Sequence, residues 1–288
     1  MDVSSSGFDL DTLALDGHAW SGPSSIGIRR EGDGRSSSAL LHGEHPTTDD
    51  EIQTLVSSFL RASFPPALPD VEGLQFEALY LSCSGSIIGG DWYDALALPD
   101  GSVAVALGDV TGHGVEAAVL MGKLRYSMRV VTMRANALES GSAASVLQSV
   151  EDGLRSEHPD ASATAFLGII SPDRTHMHYA SAGHPPPLVA RASGETTWLE
   201  SGEMPLGWGS GHPRRDHFVD LMGAWGLILY SDGVIEAGRD IVQGLERLQK
   251  AVENPSMHRS KDLLSRVVEQ TLTTPPHDDI AMLAVMFC

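Results

Sequence analysis

Aspartates at the ends of apolar runs are the residues of this sequence best suited to chemistry. Asp109 follows "VAVALG" and precedes an alanine-rich stretch, while Asp91 follows two glycines in "IIGGDWYD". Asp232 ends "LILYSD", and Asp278 and Asp279 open "DDIAMLAV". Aspartate at the end of a strand often only caps a turn or a helix, so each residue taken alone also has a structural interpretation.

Taken together, these aspartates predict a site for a divalent cation. Several converging carboxylates would raise one another's pKa values, whereas a divalent ion would hold them ionised. Oxygen ligands without cysteine favour Mg²⁺ or Mn²⁺ over Zn²⁺ or copper. Whether these aspartates lie close together in space depends on the fold. Glycines, which remove side-chain bulk where backbone must approach something closely, lie beside three of the four positions: Gly89, Gly90, Gly108 and Gly233.

Composition limits the partners and the compartment. The chain of 288 residues has 19 Lys and Arg against 38 Asp and Glu, a net charge of -19, which disfavours nucleic acid and anionic membranes as partners. Two cysteines, Cys83 and Cys288, are too few for a disulfide framework. The acidic start "MDVSSSGFDLD" does not resemble a signal peptide, and we expect a cytoplasmic protein.

The first part of the chain is predicted to be a tail followed by a linker. Residues 1–46 are rich in Ser, Gly and acid, which predicts flexibility, although "FDLDTLALDGHAW" within them could be a short docking segment. Residues 47–70 are predicted to form a linker helix and a proline segment. Helix 49–62 either packs on its own domain or forms a homodimer, and the sequence does not decide between the two. Its apolar stripe has helical spacing and comprises Ile52, Leu55, Val56, Phe59 and Leu60.

From Val71 onward, short apolar runs bounded by Gly, Pro, Asp and Ser predict strands, mostly joined by short connections. The runs are "FEALYLS", "SVAVALGD", "TAFLGII", "HMHYASAG", "PPLVA", "TWLE", "DHFVDLM", "GLILYSD" and "IAMLAVMF". Helical spacing predicts three helices, in "GVEAAVLMGKLRYSMRVV", "SAASVLQSVEDGLRSE" and "SKDLLSRVVEQTL". This pattern favours an α+β domain with sheet packed on sheet and helices outside.

Five ordered motifs in this region resemble the SpoIIE/RsbU branch of the PPM (protein phosphatase 2C) metal-dependent serine/threonine phosphatases. They are "GGDWYDALALPDGSVAVALGDVTGHGVEAAVLMGKLR", "YASAGHPPPLV", "MPLG", "LILYSDGVIEA" and "HDDIAMLAV". The resemblance implies a phosphatase domain at residues 71–288. Its expected fold is an α-β-β-α sandwich of two antiparallel sheets flanked by helices.

The resemblance also implies a centre of two Mn²⁺ or Mg²⁺ ions. Asp109 would bridge both ions, and the Val110 carbonyl would complete the second. Asp232 and Asp278 would bind the first ion, and Asp91 would act through water. Two further aspartates, Asp94 and Asp279, would lie next to these ligands without binding the ions directly. A structural role is favoured for Asp94.

Two histidines lie in the same motifs. His113 in "TGHG" is a candidate to protonate the serine leaving group, with a structural role at the start of a helix as the alternative. His184 in "SAGHPPP" is expected to have a hydrogen-bonded role in a turn.

The expected function is therefore hydrolysis of phosphoserine or phosphothreonine in a protein by metal-activated water. By resemblance, the substrate would be a STAS-type anti-anti-sigma regulator, and a partner would activate the enzyme through the helix after the Asp109 loop. The alternative is a pseudophosphatase that acts only as a binding module. A nucleotide-binding enzyme would need a glycine loop before a Lys-Ser/Thr pair, which the sequence lacks.

Overall fold

The described part of the chain forms two antiparallel sheets that pack face to face. The structure, a computed structural model, describes residues 20–21 (backbone only), 58, 63–82, 89–137, 142–209, 213–258, 260 and 262–288. The strands are β1 (Trp20–Ser21), β2 (Leu74–Leu81), β3 (Asp91–Ala97), β4 (Val103–Val110), β5 (Ala163–Ile170), β6 (His176–Ala182), β7 (Leu188–Arg191), β8 (Thr196–Trp198), β9 (His217–Asp220), β10 (Ala224–Tyr230) and β11 (Ile280–Phe287). The first sheet has the order β1-β2-β11-β10-β7-β8 and the second β3-β4-β5-β6-β9.

Helices cover the outer faces of both sheets. They are α1 (Val115–Ala137), α2 (Ala143–Glu157), α3 (Gly233–Glu236), α4 (Ile241–Glu253) and α5 (Leu263–Thr271). The long helices α1 and α2 pack on the second sheet, whereas α4 and α5 pack on the first. The expected α-β-β-α sandwich is therefore confirmed. No helix in the described ranges is long and apolar enough to cross a membrane.

Strand β11 shows why the central strands read as continuous apolar runs. Ala281, Leu283 and Val285 belong to the core between the sheets. The alternating residues Ile280 and Met282 belong to the core between the first sheet and its helices. Successive side chains of a strand point to opposite faces, so a strand buried on both faces needs apolar residues at every position.

The structure confirms the nine predicted strands of the domain and its three predicted helices. Strand β3 and helices α3 and α4 were not predicted from the sequence. Within the predicted tail, Trp20–Ser21 forms β1, which pairs with Leu79 and Tyr80 of β2. Most of the stretch 49–62 lies outside the described residues, so the homodimer helix stays a prediction.

A buried ion pair fixes the long connection between β8 and β9 to helix α2. Glu151 of α2 is 3% exposed, and its Oε1 accepts hydrogen bonds from the backbone N–H groups of Gly207 and Gly209. Its Oε2 accepts from Arg214 Nη2 at 2.7 Å and Nε at 3.2 Å. One carboxylate thus satisfies four donors of this connection, whose Leu206 also pairs with Ala163 of β5.

Glu151→Ala is expected to lower the free energy of unfolding by about 3 kcal/mol, because it removes the closer carboxylate of buried Arg214 and leaves the more distant Glu203, at 3.6 Å, as its partner. Urea unfolding followed by circular dichroism measures this loss. Glu157→Ala, at an exposed position of the same helix, should change stability by less than about 0.5 kcal/mol. Equal, small losses in both variants would contradict the importance of the buried pair.

Candidate metal centre

Adjacent strand ends bring the predicted aspartates together at one edge of the sandwich. In the second sheet, Asp91 of β3 pairs directly with Asp109 of β4. In the first sheet, Asp232 follows the end of β10, and Asp278 and Asp279 precede the start of β11. Strands β10 and β11 are neighbours, so acids 46 and 47 residues apart in sequence meet at the same edge.

Ser231 fastens the two strand ends of the first sheet to each other. Its backbone N–H donates to the Ala281 carbonyl at 2.9 Å, and its hydroxyl accepts from the Ala281 N–H at 2.9 Å. The Ser231 hydroxyl also lies 3.4 Å from the Asp279 carbonyl oxygen, to which it donates. These bonds hold Asp232 next to the Asp278–Asp279 pair.

The carboxylates raise one another's pKa values. Burial, followed by the charge of Asp109, raises the pKa of Asp91 well above its usual range. Burial and the charges of Asp232 and Asp278 raise the pKa of Asp109 to about 7. For Asp232, burial and the charges of Glu236 and Asp278 raise the pKa to about 6. The neighbouring Asp91 carboxyl group partly opposes the rise in the pKa of Asp109, as expected when two acids share a proton.

The site has the features of a receptor for a hard cation. Oδ2 of Asp91 is buried without a hydrogen-bond partner, and a buried polar atom of this kind requires an explanation. In the described part of the chain, no group of three or more His, Cys, Asp or Glu side chains is already arranged as a metal-binding cluster. Like-charge repulsion opposes such closure, and a divalent cation would remove that repulsion. The all-oxygen donor set fits Mg²⁺ or Mn²⁺.

The glycines beside the acids are required by close approach. A Cβ on Gly90 would lie 2.5 Å from the Val110 carbonyl oxygen and 2.9 Å from Asp109 Oδ1. A Cβ on Gly89 would lie 1.4 Å from Asp279 Oδ2. Any side chain at these two positions would displace the acids or the Val110 carbonyl. The close approach expected at these glycines is therefore to the acids and to the Val110 carbonyl, and a bound ion beside them stays a prediction.

Asp94 does not face the other acids. It lies three residues after Asp91 on β3, and residues separated by an odd number point to opposite faces of a strand. Its carboxylate accepts from Arg129 Nε and Nη2, both at 2.9 Å, and from Arg125 Nη1 at 3.1 Å. Asp94 therefore ties helix α1 to β3, the structural role that the sequence analysis favoured.

Tyr80 belongs to the site, and the sequence analysis missed it. Its hydroxyl donates to Asp279 Oδ2 at 3.4 Å, and its ring packs edge-on against Phe64, with centroids 4.9 Å apart. Burial, followed by the charge of Asp279, raises the pKa of Tyr80 well above its usual value, so the hydroxyl remains a donor. Tyr80 occupies an apolar-looking strand, "FEALYLS", and only its alignment with β11 reveals its neighbour.

The two motif histidines lie in different environments. His113 is exposed in the loop between β4 and α1. His184 is 2% exposed, its Nδ1 lies 3.0 Å from Thr164 Oγ1, and burial lowers its pKa to about 3. His184 is therefore neutral at physiological pH and does not titrate as an acid or base there.

Sequence comparison matches the chain to one family model. The model described as stage II sporulation protein E (SpoIIE) matches residues 99–287. Protein IcfG of Synechocystis sp. (strain ATCC 27184 / PCC 6803 / Kazusa) is 27% identical, with 77% of this chain aligned. Phosphoserine phosphatase RsbU of Bacillus subtilis (strain 168) is 26% identical, with 76% of this chain aligned. The chain spans only 39% and 64% of the lengths of these two curated relatives.

Solved structures have the same fold. The RsbU and RsbW domains of Rv1364c from Mycobacterium tuberculosis match 78% of this chain and 63% of that one, with a TM-score of 0.65 and 30% identity. The SiaA-PP2C domain of Pseudomonas aeruginosa matches 84% of this chain and 99% of that one, with a TM-score of 0.64 and 20% identity. The chain therefore belongs to the SpoIIE family, in the SpoIIE/RsbU branch of the PPM (protein phosphatase 2C) phosphatases.

Proposed function

We propose that this chain is a metal-dependent protein phosphatase that hydrolyses phosphoserine or phosphothreonine. The observation that carries the proposal is the meeting of acids from both sheets at one edge, where burial and mutual charge raise the pKa values of Asp91, Asp109 and Asp232. Asp278, at the same edge, is exposed. Asp94 and Glu151, which serve the fold, have arginine partners. The acids at the edge of the sandwich lie next to one another instead, an arrangement that suits a cationic ligand. These edge acids are Asp91, Asp109, Asp232, Asp278 and Asp279.

Two Mn²⁺ or Mg²⁺ ions are proposed as the cofactor. Asp109, Asp232 and Asp278 would hold them with the Val110 carbonyl, and Asp91 would act through water. When bound, the ions would make a water molecule nucleophilic and neutralise the phosphate charge. The described residues supply the rest: Ser231 holds the turn before β11, Tyr80 orients Asp279, and Gly90 keeps the approach to Val110 open.

His113 is proposed as the donor to the leaving group. It is exposed four residues after Asp109, in the loop that leads from the acid edge into α1. In the hydrolysis, the P–O bond to serine breaks while water forms the new P–O bond. The proton from His113 would go to the departing serine Oγ, and water would supply the proton that restores the histidine.

A phosphorylated STAS-type regulator is proposed as the substrate, and the cytoplasm as the compartment. The support is the similarity to phosphoserine phosphatase RsbU and to a structure in which an RsbU domain occurs with an RsbW domain. An acidic enzyme needs an apolar or basic surface to hold such a partner. Exposed Met204 and Trp208 supply apolar area in the connection joined to β5 through the Leu206–Ala163 bridge, beside Val110.

Asp109→Asn and Asp232→Asn are each expected to lower kcat/KM for p-nitrophenyl phosphate by at least about 100-fold, because each removes a charge that the metals need. Turnover by the parent should require added Mn²⁺ or Mg²⁺. Asp152→Asn, at an exposed position of α2, is the matched control and should leave turnover unchanged. Equal turnover in the parent and in the Asp109 and Asp232 variants would contradict catalysis at this site and would favour a pseudophosphatase.

Asp109→Asn should lower turnover but raise the free energy of unfolding when no metal is present. The folded-state pKa of Asp109 is about 7, against an ordinary value of 3.8. Ionisation therefore costs stability as pH rises from about 4 to about 7, and the cost persists above that range. In EDTA at pH 8, the variant should be more stable by on the order of 1 to 3 kcal/mol. With excess Mn²⁺ the order should reverse; a variant less stable than the parent in EDTA would refute the repulsion.

Incubation with phosphorylated STAS proteins tests the substrate directly. We expect a loss of phosphate mass from at least one STAS protein of the same genome in Mn²⁺, and no loss with Asp109→Asn. If the protein hydrolyses p-nitrophenyl phosphate but no phosphorylated STAS protein, phosphatase activity would be supported and this substrate class would be rejected.

A further inference from the structure

Phe64, which precedes strand β2 in the chain, contacts both sheets of the sandwich. Its side chain is buried, with the residue 4% exposed. Its ring packs edge-on against Tyr80 of β2, in the first sheet, with the ring centroids 4.9 Å apart. The same ring packs against Tyr93 of β3, in the second sheet, with the centroids 5.2 Å apart. The Phe64 ring is therefore a wedge between β2 and β3.

The two tyrosines that the wedge contacts lie next to acids of the candidate metal centre. Tyr80 donates its hydroxyl to Asp279 Oδ2 at 3.4 Å. The backbone N–H of Asp279 in turn donates to Asp278 Oδ1 at 2.8 Å. Tyr93 follows Asp91 by two residues on β3, and side chains with this spacing point to the same face of a strand. The wedge is thus one side chain away from acids of both sheets.

The backbone that carries the wedge is held by helix α1. The preceding residue, Ser63, is 6% exposed, and its carbonyl oxygen accepts a hydrogen bond from Arg125 Nε of α1 at 2.5 Å. Arg125 also donates from Nη1 to Asp94 Oδ2 of β3 at 3.1 Å. A side chain on a fixed backbone, packed between two rings in a dense interior, has little freedom to move. The position of the Phe64 ring is therefore set by α1 as well as by the two sheets.

We propose that Phe64 is a positioning residue that holds the Tyr80 hydroxyl against Asp279. The orientation of Asp279 then sets that of Asp278, to which its N–H donates. The proposal deepens the proposed function and rests on it, since it assumes that these acids serve a metal centre. At 3.4 Å the bond from Tyr80 is already long, and hydrogen bonds weaken steeply as their geometry departs from the ideal. A small displacement of the Tyr80 ring would therefore break it.

A double-mutant cycle on Mn²⁺ affinity, measured by titration calorimetry, tests the wedge without relying on turnover. Tyr80→Phe removes the hydroxyl and keeps the ring, whereas Phe64→Leu removes the ring that supports it. We expect Tyr80→Phe to raise the Mn²⁺ dissociation constant by about 10-fold and Phe64→Leu by about 5-fold. The double variant should bind as weakly as Tyr80→Phe alone, because Phe64 acts through a hydroxyl that is already absent.

A matched control separates positioning from general loosening of the core. Phe287→Leu makes the same change at the other end of β11, where Phe287 pairs with Leu74 and packs against the core between the sheets. It should lower the melting temperature and leave Mn²⁺ affinity unchanged. Binding is measured at a temperature where circular dichroism shows each variant to be folded. If Phe64→Leu does not fold, Phe64→Met, which nearly keeps the side-chain volume, takes its place in the cycle.

The outcomes distinguish this proposal from the proposed function. A parent that binds Mn²⁺, with equal affinity in the Phe64→Leu or the Tyr80→Phe variant, would overturn the wedge and leave the metal-dependent function standing. Additive losses in the double variant would also overturn it, because Phe64 would then act independently of Tyr80. Equal weakening by Phe287→Leu would do the same. A parent that binds no Mn²⁺ would overturn the wedge and the metal-dependent function together.

Discussion

Repulsion among the edge carboxylates is the constraint on which the rest of this structure depends. Asp91 and Asp109 face each other directly across two strands, and like charges in that position destabilise a sheet. Asp232 and the Asp278–Asp279 pair add charge from the other sheet. An assembly of this kind stays in place only if the surrounding backbone is rigid, and here it is the edge of a double sheet buried on both faces.

The acids of this structure fall into two groups that differ in their partners. Asp94 and Glu151 each receive an arginine in a buried ion pair, and they join helices α1 and α2 to the sheet and to the long connection. At the acid edge, Tyr80 donates its hydroxyl to Asp279, and the Asp279 N–H donates to Asp278. Among the described residues, no arginine forms an ion pair with Asp91, Asp109 or Asp232. An arginine partner balances the charge of an acid within the fold, whereas the charge of grouped acids can be balanced by a bound cation. This difference separates Asp94 and Glu151 from the acids that we propose as metal ligands.

Most of the fold could be predicted from the sequence because its strands are apolar on both faces, as in β11, or on alternating positions, as in β9. Strand β3 was missed because it begins after two glycines and contains Asp91 and Asp94, which suggest a loop when read locally. Helix α4 was missed although it is amphipathic. Gly244 weakens its helical pattern, and a Cβ there would lie 2.0 Å from the Ile235 carbonyl oxygen, so the glycine serves the close packing of α3 and α4. Tyr80 could not be assigned to the site because its position depends on a pairing nearly 200 residues away in sequence.

That pairing has a consequence for how the protein folds. Strand β2 opens the domain and is hydrogen-bonded along its whole length to β11, which closes it. Contacts between distant parts of a chain form slowly, because the intervening loop must first lose its entropy. The last two acids directly precede β11, and Tyr80 of β2 donates to Asp279, so this contact forms only when β2 and β11 have joined. Metal capture should therefore report the final step of folding.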